Sequence, residues 1–174
     1  VFLLFLVIAQ GLFGMWTVTL KLWPQVVTTH LLGGFTTLSL LWLLSLRLNN
    51  RPWPQPGIHP RNWLKLKPLA MLGLVLVVIQ IALGGWISSN YAALACPDLP
   101  TCQNQWLPPM DFANGFNLTQ EIGPNYLGGQ LDGEARIAIH FAHRVGAIVV
   151  ALYLIFLVWQ LLKNAGGTPL RALA

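Results

Sequence analysis

Residues 71–83 read MLGLVLVVIQIAL, and the absence of alternation in this run decides the fold. A membrane-barrel strand has one lipid face and one lumen face, so its apolar and polar residues alternate over about ten positions. Here one apolar residue follows another, which predicts a helix. Extended outward, the apolar segment covers 68–90, long enough for the roughly 20 residues that a bilayer core requires. Three more segments qualify, at 1–22, 25–46 and 134–162. Lipid cannot satisfy the backbone groups of open strands. The predicted fold is therefore all-α, a polytopic transmembrane helical bundle with four spans. Composition agrees, since 55% of residues are hydrophobic and only 9% charged. With a mean hydropathy of +0.61, the chain lies outside the range of soluble domains.

The formal charge of +5 would suit a nucleic-acid partner if it were spread over a surface, but it is not. Arg47, Arg51, Arg61, Lys65 and Lys67 crowd the link between the second and third spans, whereas all five acids, Asp98, Asp111, Glu121, Asp132 and Glu134, lie between Cys96 and Arg136. This asymmetry marks membrane orientation and excludes nucleic-acid binding. By the positive-inside rule the link 48–67 is cytoplasmic and the loop 91–133 faces outward. Lys163 and Arg171 predict an inside C-terminus. The organisation expected is a transmembrane hairpin over 1–47, a cytoplasmic linker over 48–67, and a second unit over 68–174 with two spans and the outer loop. Val1 already lies within an apolar run, with no Met, basic region or cleavage site ahead of it. The expectation is a fragment of a larger bundle, incomplete and inactive alone, rather than a signal peptide.

The two hairpins resemble one another. Gln10-x3-Gly14-x-Trp16 in the first span is matched by Gln80-x3-Gly84-x-Trp86 in the third, and His30-x2-Gly33 in the second by His143-x2-Gly146 in the fourth. An internal repeat of the kind found in many membrane bundles is expected. The outer connections differ. One is a tight turn around Pro24, the other a loop containing Trp106, Phe112, Phe116, Tyr126 and both cysteines. That loop is too aromatic for simple disorder and is expected to cap the outer end of the bundle. The linker NNRPWPQPGIHPRNW reads as a plain surface loop, with His59 solvated.

His30 lies on the order of 8 Å below the outer end of its helix, where ionisable residues are costly and usually functional. Gly33, Gly34 and Thr37 share its face at i+3, i+4 and i+7. A flat macrocycle lying beside an axial histidine needs such a bare strip. A close helix–helix contact bridged by the imidazole would need it equally. His143 repeats the pattern with Gly146, Ala147 and Val150 below it and Ala142 alongside. Arg144 could pair with the propionates of a haem or snorkel to lipid headgroups. His140, one turn earlier, could be a proton carrier, a partner of the ligand, or an alternative ligand. His140-x2-His143 lacks the i, i+4 spacing of a helical zinc pair, and there is no Cys-x2-Cys-His for a c-type haem. Cys96 and Cys102 bracket the loop CPDLPTC. A disulfide staple suits an outer compartment. A redox role is the other reading.

The segments QGLFGMWTVTLKLWPQVVTTHLLGG (10–34) and QIALGGWISSNYAALACPDLPTC (80–102), followed by PPMDF, GPNY and IHFAHRVGA, resemble the haem A synthase family of bacterial and mitochondrial inner membranes. The resemblance spans nearly the whole chain. It implies eight helices in two pseudo-symmetric halves, of which this chain would supply helices three to six. It implies that His30 ligates iron in an N-terminal haem site and His143 in a C-terminal site holding haem b, with the second ligand of each on helices two and eight. A clamp of one haem between His30 and His143 is disfavoured on this basis. Cys96 and Cys102 match a disulfide pair of the family's outer loop. The implied activity is oxidation of the C8 methyl of haem O to the formyl of haem A, for cytochrome oxidase assembly, with oxygen taken from water. The suspected catalytic glutamate belongs to helix two, so no catalytic residue is assigned within this chain. The implied partners are haem O delivered by haem O synthase, membrane lipid and an unspecified electron acceptor. The implied location is the bacterial inner membrane.

Two other readings stand beside this one. The same histidines would serve a membrane b-type cytochrome that relays electrons without substrate chemistry. The cysteine pair would serve a thiol oxidoreductase, although a relay would want two pairs and the chain has one.

Overall fold

The computed structural model describes residues 1–49, 60–126 and 129–164. His59, Arg51 and Arg171, which the sequence reading places in the linker or after the last span, lie outside these residues. The described chain is all-helical, with α1 (Phe2–Thr19), α2 (Pro24–Leu48), α3 (Pro60–Ser89), the short α4 (Phe112–Gly115) and α5 (Gly133–Asn164). Four of these, α1, α2, α3 from Leu64, and α5, are long and apolar enough to cross a membrane. The protein is a multi-pass membrane protein of helical type, as the missing alternation predicts.

Helix boundaries follow local chemistry. The chain reverses after α1 through Lys21 and Leu22, which adopt φ of 52° and 59°, a left-handed conformation that costs a non-glycine residue about 1–2 kcal/mol. Pro24 then opens α2 at its first position, where its missing N–H has no helical partner to lose. In α5, Glu134 in the first turn and Lys163 in the last both complement the helix dipole. Lys163 also sits 5.3 Å from the Trp159 ring centroid, within cation–π range. α3 begins at Pro60, within the stretch read as the linker, and its apolar span at Leu64. Pro68, expected to start the span, lies inside the helix. Proline removes one backbone donor, and the helix continues past it.

The spans pack in a row, α1 on α2, α2 on α3, and α3 on α5, with α4 against α5. Small residues set the close approaches. A Cβ on Gly85 would stand 3.3 Å from the Thr28 Cα, and one on Gly73 would stand 3.2 Å from Leu157. The spans turn many of their apolar side chains outward, with Phe2, Leu4, Leu38, Trp42, Leu152 and Ile155 all exposed, as suits helices solvated by hydrocarbon.

The buried clusters lie where the long loop meets α3 and α5. Trp86, Ile87, Ala92 and Ile139 form one buried cluster, joined by Phe116 and Leu131. Cys96, Cys102 and Ile137 form another, with Ala95 and Met110. The Trp86 indole donates to the Gly115 carbonyl at 2.8 Å, and Asp111 caps α4 by accepting from the Asn114 N–H at 3.0 Å. The loop also reaches the other hairpin. Trp23 donates to the Gln120 carbonyl at 2.7 Å, Gln25 to that of Leu118 at 2.9 Å, and Lys21 to that of Pro124 at 2.9 Å. The cap expected from the sequence therefore covers both hairpins at one end, and its bond to Lys21 ties it to the left-handed turn.

Candidate functional site

Each histidine of the repeat turns into its own hairpin. The His30 ring lies against α1, so that a Cβ on Gly14 would stand 3.3 Å from its Cε1 and 3.6 Å from its Nε2. The His143 ring lies against α3, with Cε1 3.5 Å from the Cβ position of Gly84. The glycines of the Gln-x3-Gly motif thus give room to the imidazoles of the facing helix. The two rings are seated by different helix pairs, α1 with α2 and α3 with α5.

The bare strip below each histidine is only partly free. A Cβ on Gly33 would run into the Gln10 amide, and one on Gly146 into that of Gln80. At i+3, therefore, the glycine makes way for a glutamine one helix away. At this position the small residue serves a close approach between facing helices. The i+4 side is different. Gly34 has nothing within 4 Å of its Cβ position, and His30, Leu31, Gly34, Phe35 and Leu38 line an open apolar groove of about 300 Å³. Ala147, the corresponding residue of α5, is exposed.

The polar partners of the rings differ between the halves. The Gln80 amide nitrogen lies 3.0 Å from His143 Nδ1 and donates to the His143 carbonyl at 3.1 Å. The Gln80 amide oxygen is buried without a hydrogen-bond partner, and in the first hairpin so are Gln10 Oε1 and His30 Nδ1. In the sequence Gln10 and Gln80 stand out only as markers of a repeat. Their recurrence at equal spacing before a glycine was the available signal.

His140 and Arg144 hold the cap. His140 Nδ1 lies 2.8 Å from the Ala92 carbonyl. A carbonyl only accepts, so Nδ1 carries the proton and a neutral ring keeps its Nε2 lone pair. Arg144 reaches the cysteine loop. Its guanidinium donates to the Cys96 carbonyl at 2.7 Å and to the Thr101 carbonyl at 2.8 Å, the two flanks of the cysteine loop. Both acceptors are neutral, so these bonds leave its charge uncompensated.

Cys96 and Cys102 are joined in a disulfide, with a Cα–Cα distance of 4.6 Å, which meets the staple expectation. Asp98 organises the loop between them, accepting from the Thr101 hydroxyl, from the Gln103 N–H at 2.7 Å and from the Asn104 N–H at 3.0 Å. The hydrogen bond from Thr101, with the backbone donors behind it, holds the Asp98 carboxyl below its ordinary pKa. Among the described residues, no three His, Cys, Asp or Glu side chains gather into a metal-ion cluster.

Residues 1–174 match the COX15-CtaA family, described as cytochrome oxidase assembly protein. The chain is 46% identical over 173 residues to the Heme A synthase of Shewanella oneidensis, an alignment covering 99% of this chain and 51% of the relative. It is 26% identical over 162 residues to the Heme A synthase of Halalkalibacterium halodurans, covering 90% and 45%. For that of Rhodospirillum centenum the identity is 30% over 146 residues, covering 83% and 35%. The chain thus spans about half or less of the length of these curated relatives. No solved structure matches it significantly. With the whole chain matched by the family and nearly all of it aligned at 46% identity to one relative, it belongs to the COX15-CtaA family of cytochrome oxidase assembly proteins.

Proposed function

We propose that this chain is part of a haem A synthase, a membrane oxidoreductase that converts the C8 methyl of haem O to the formyl of haem A. The observation that carries the reading is the repeated seat of an imidazole on a facing glycine, His30 on Gly14 and His143 on Gly84, in a chain whose relatives bear that name. The residues fit an iron porphyrin. His30 offers a nitrogen ligand beside an open apolar groove, and Gly34 leaves the groove wall bare. A porphyrin needs one or two axial donors, not a cluster.

In this reading His30 and His143 would each hold haem iron through an imidazole nitrogen, His143 that of a haem b. A bound haem b supplies a one-electron carrier whose potential is set by its ligands and burial. The chain's own residues orient and exclude. Gly14 and Gly84 fix where each ring sits, and the cap shields the outer end of both hairpins. Arg144 keeps a positive charge one residue after His143, at the edge where propionates would lie. Conversion of a methyl to a formyl with oxygen from water releases four electrons and four protons, so an acceptor is needed. Haem O arrives as an apolar substrate with an acidic edge, which suits entry from the membrane, with delivery by haem O synthase. The loop 91–133 faces the outer compartment and 48–67 the cytoplasm, in the orientation set by the basic link. In the complete protein the chain provides four of eight helices.

The test is pigment extraction. Cells making the full-length protein together with a haem O source accumulate a formyl haem, and cells making a His143→Ala variant do not. A full-length protein that binds haem but yields no formyl haem is a cytochrome, and the synthase reading falls.

A further inference from the structure

Gln80 reaches across from α3 to α5 and touches the site twice. Its amide nitrogen lies 3.0 Å from His143 Nδ1 and 3.1 Å from the His143 carbonyl, while its amide oxygen is buried with no partner. Gly146 is what admits it, because any Cβ there would occupy the place of that oxygen. The first hairpin repeats the glutamine-over-glycine contact, with Gln10 lying over Gly33. There both Gln10 Oε1 and His30 Nδ1 are buried and unpartnered.

These unpaired atoms match what iron ligation demands. A neutral imidazole facing the Gln80 amide nitrogen accepts at Nδ1, so its proton sits on Nε2. Ligation through Nε2 needs that lone pair free, and the proton must then reside on Nδ1. Nδ1–H requires an acceptor, and a ligating histidine almost always has one. A half-turn of the Gln80 amide puts its oxygen where its nitrogen now stands, turning a donor into an acceptor. In the other half the acceptor and the ring nitrogen already wait without partners.

Building on the axial-ligand reading above, we propose that Gln80, and Gln10 in the repeat, are positioning residues for the haem ligands. The amide oxygen of each accepts the Nδ1–H of its histidine, fixing tautomer and ring orientation and raising the donor strength of Nε2. Gly146 and Gly33 are the glycines that let each amide reach its place.

The experiment uses the full-length protein purified with its haem, in three variants. Gln80→Met keeps chain length and removes both amide ends. Gln80→Glu keeps an oxygen acceptor. His143→Ala removes the ligand. Haem retention, the ferric/ferrous midpoint potential and the electron paramagnetic resonance spectrum are measured. Gln80→Met is expected to weaken haem binding by about 10–100-fold. It should also favour ferrous iron by about tenfold, a rise of about 59 mV for one electron. Gln80→Glu should retain haem and lower the potential below the native value. If Gln80→Met fails to fold, Gln80→Glu decides alone, and an unchanged or raised potential overturns the proposal. Native retention and potential in a folded Gln80→Met protein, together with loss of haem in His143→Ala, would overturn the positioning role and leave the ligand reading intact. Haem kept undiminished by His143→Ala overturns both.

Discussion

Replacing Arg144 with alanine removes two hydrogen bonds from a guanidinium to backbone carbonyls, 2.7 Å to Cys96 and 2.8 Å to Thr101. Hydrogen bonds from charged groups contribute about 1.5–3 kcal/mol each. Both are only partly buried, so the lower figure applies and the pair amounts to about 3 kcal/mol. The cysteine loop then opens more easily while the disulfide keeps it closed covalently. At a factor of ten per 1.4 kcal/mol, amide hydrogens protected by the loop should exchange about 100-fold faster. The reporters are the Cys102 and Gln105 N–H groups, bonded to one another's carbonyls at 2.9 and 3.1 Å, and those of Gln103 and Asn104, held by Asp98. Arg144→Lys keeps the charge on a compact ammonium without the planar fork. One carbonyl kept and one lost gives an acceleration of about tenfold. Exchange of these four amides within about threefold of native in Arg144→Ala, with the disulfide intact on a non-reducing gel, would refute the anchoring role.

Three further outcomes follow from close contacts and from charge. Gly115→Ala should lower the thermal midpoint of the protein. Its Cβ would stand 2.8 Å from the Ala135 carbonyl, a backbone atom that cannot step aside, and overpacking of this kind costs about 1–3 kcal/mol. A native midpoint would show that α4 rides freely on α5. Gly34→Ala, with open space around it, should leave the haem-free protein unchanged or more stable by up to about 1 kcal/mol. It should weaken haem uptake if the groove beside His30 holds the macrocycle, and undiminished uptake in a spectral titration would place the haem elsewhere. Asp98, whose carboxyl is held below its ordinary pKa by Thr101 and two backbone donors, binds fewer protons folded than unfolded. Its contribution to the loop is full above about pH 3.9 and fades as pH falls through the lower folded value. Exchange of the Gln103 and Asn104 amides, corrected for intrinsic rate, should show this acid step in the native protein and lack it in Asp98→Asn.

The spans and the cap were legible in the residues alone. Hydropathy and the lack of alternation in MLGLVLVVIQIAL are properties of each position and its near neighbours, and a bilayer turns them directly into helices. The recurring Gln-x3-Gly and His-x2-Gly motifs were legible too, because a repeat is written in the chain itself. Only the tertiary structure decided what fills the space beside each glycine. His30-x2-Gly33 reads equally as room for a ligand or room for a neighbour, and Gln10, brought in by the fold from another helix, takes the space at Gly33 while leaving Gly34 open. Arg144 is the sharper case. Nothing within its own helix says that it bonds to Cys96, 48 residues away, since that contact depends on where the loop lands once Trp86, Ile139 and Phe116 have packed. Local sequence specifies which groups carry charge, bulk or a lone pair, and packing between distant segments chooses their partners.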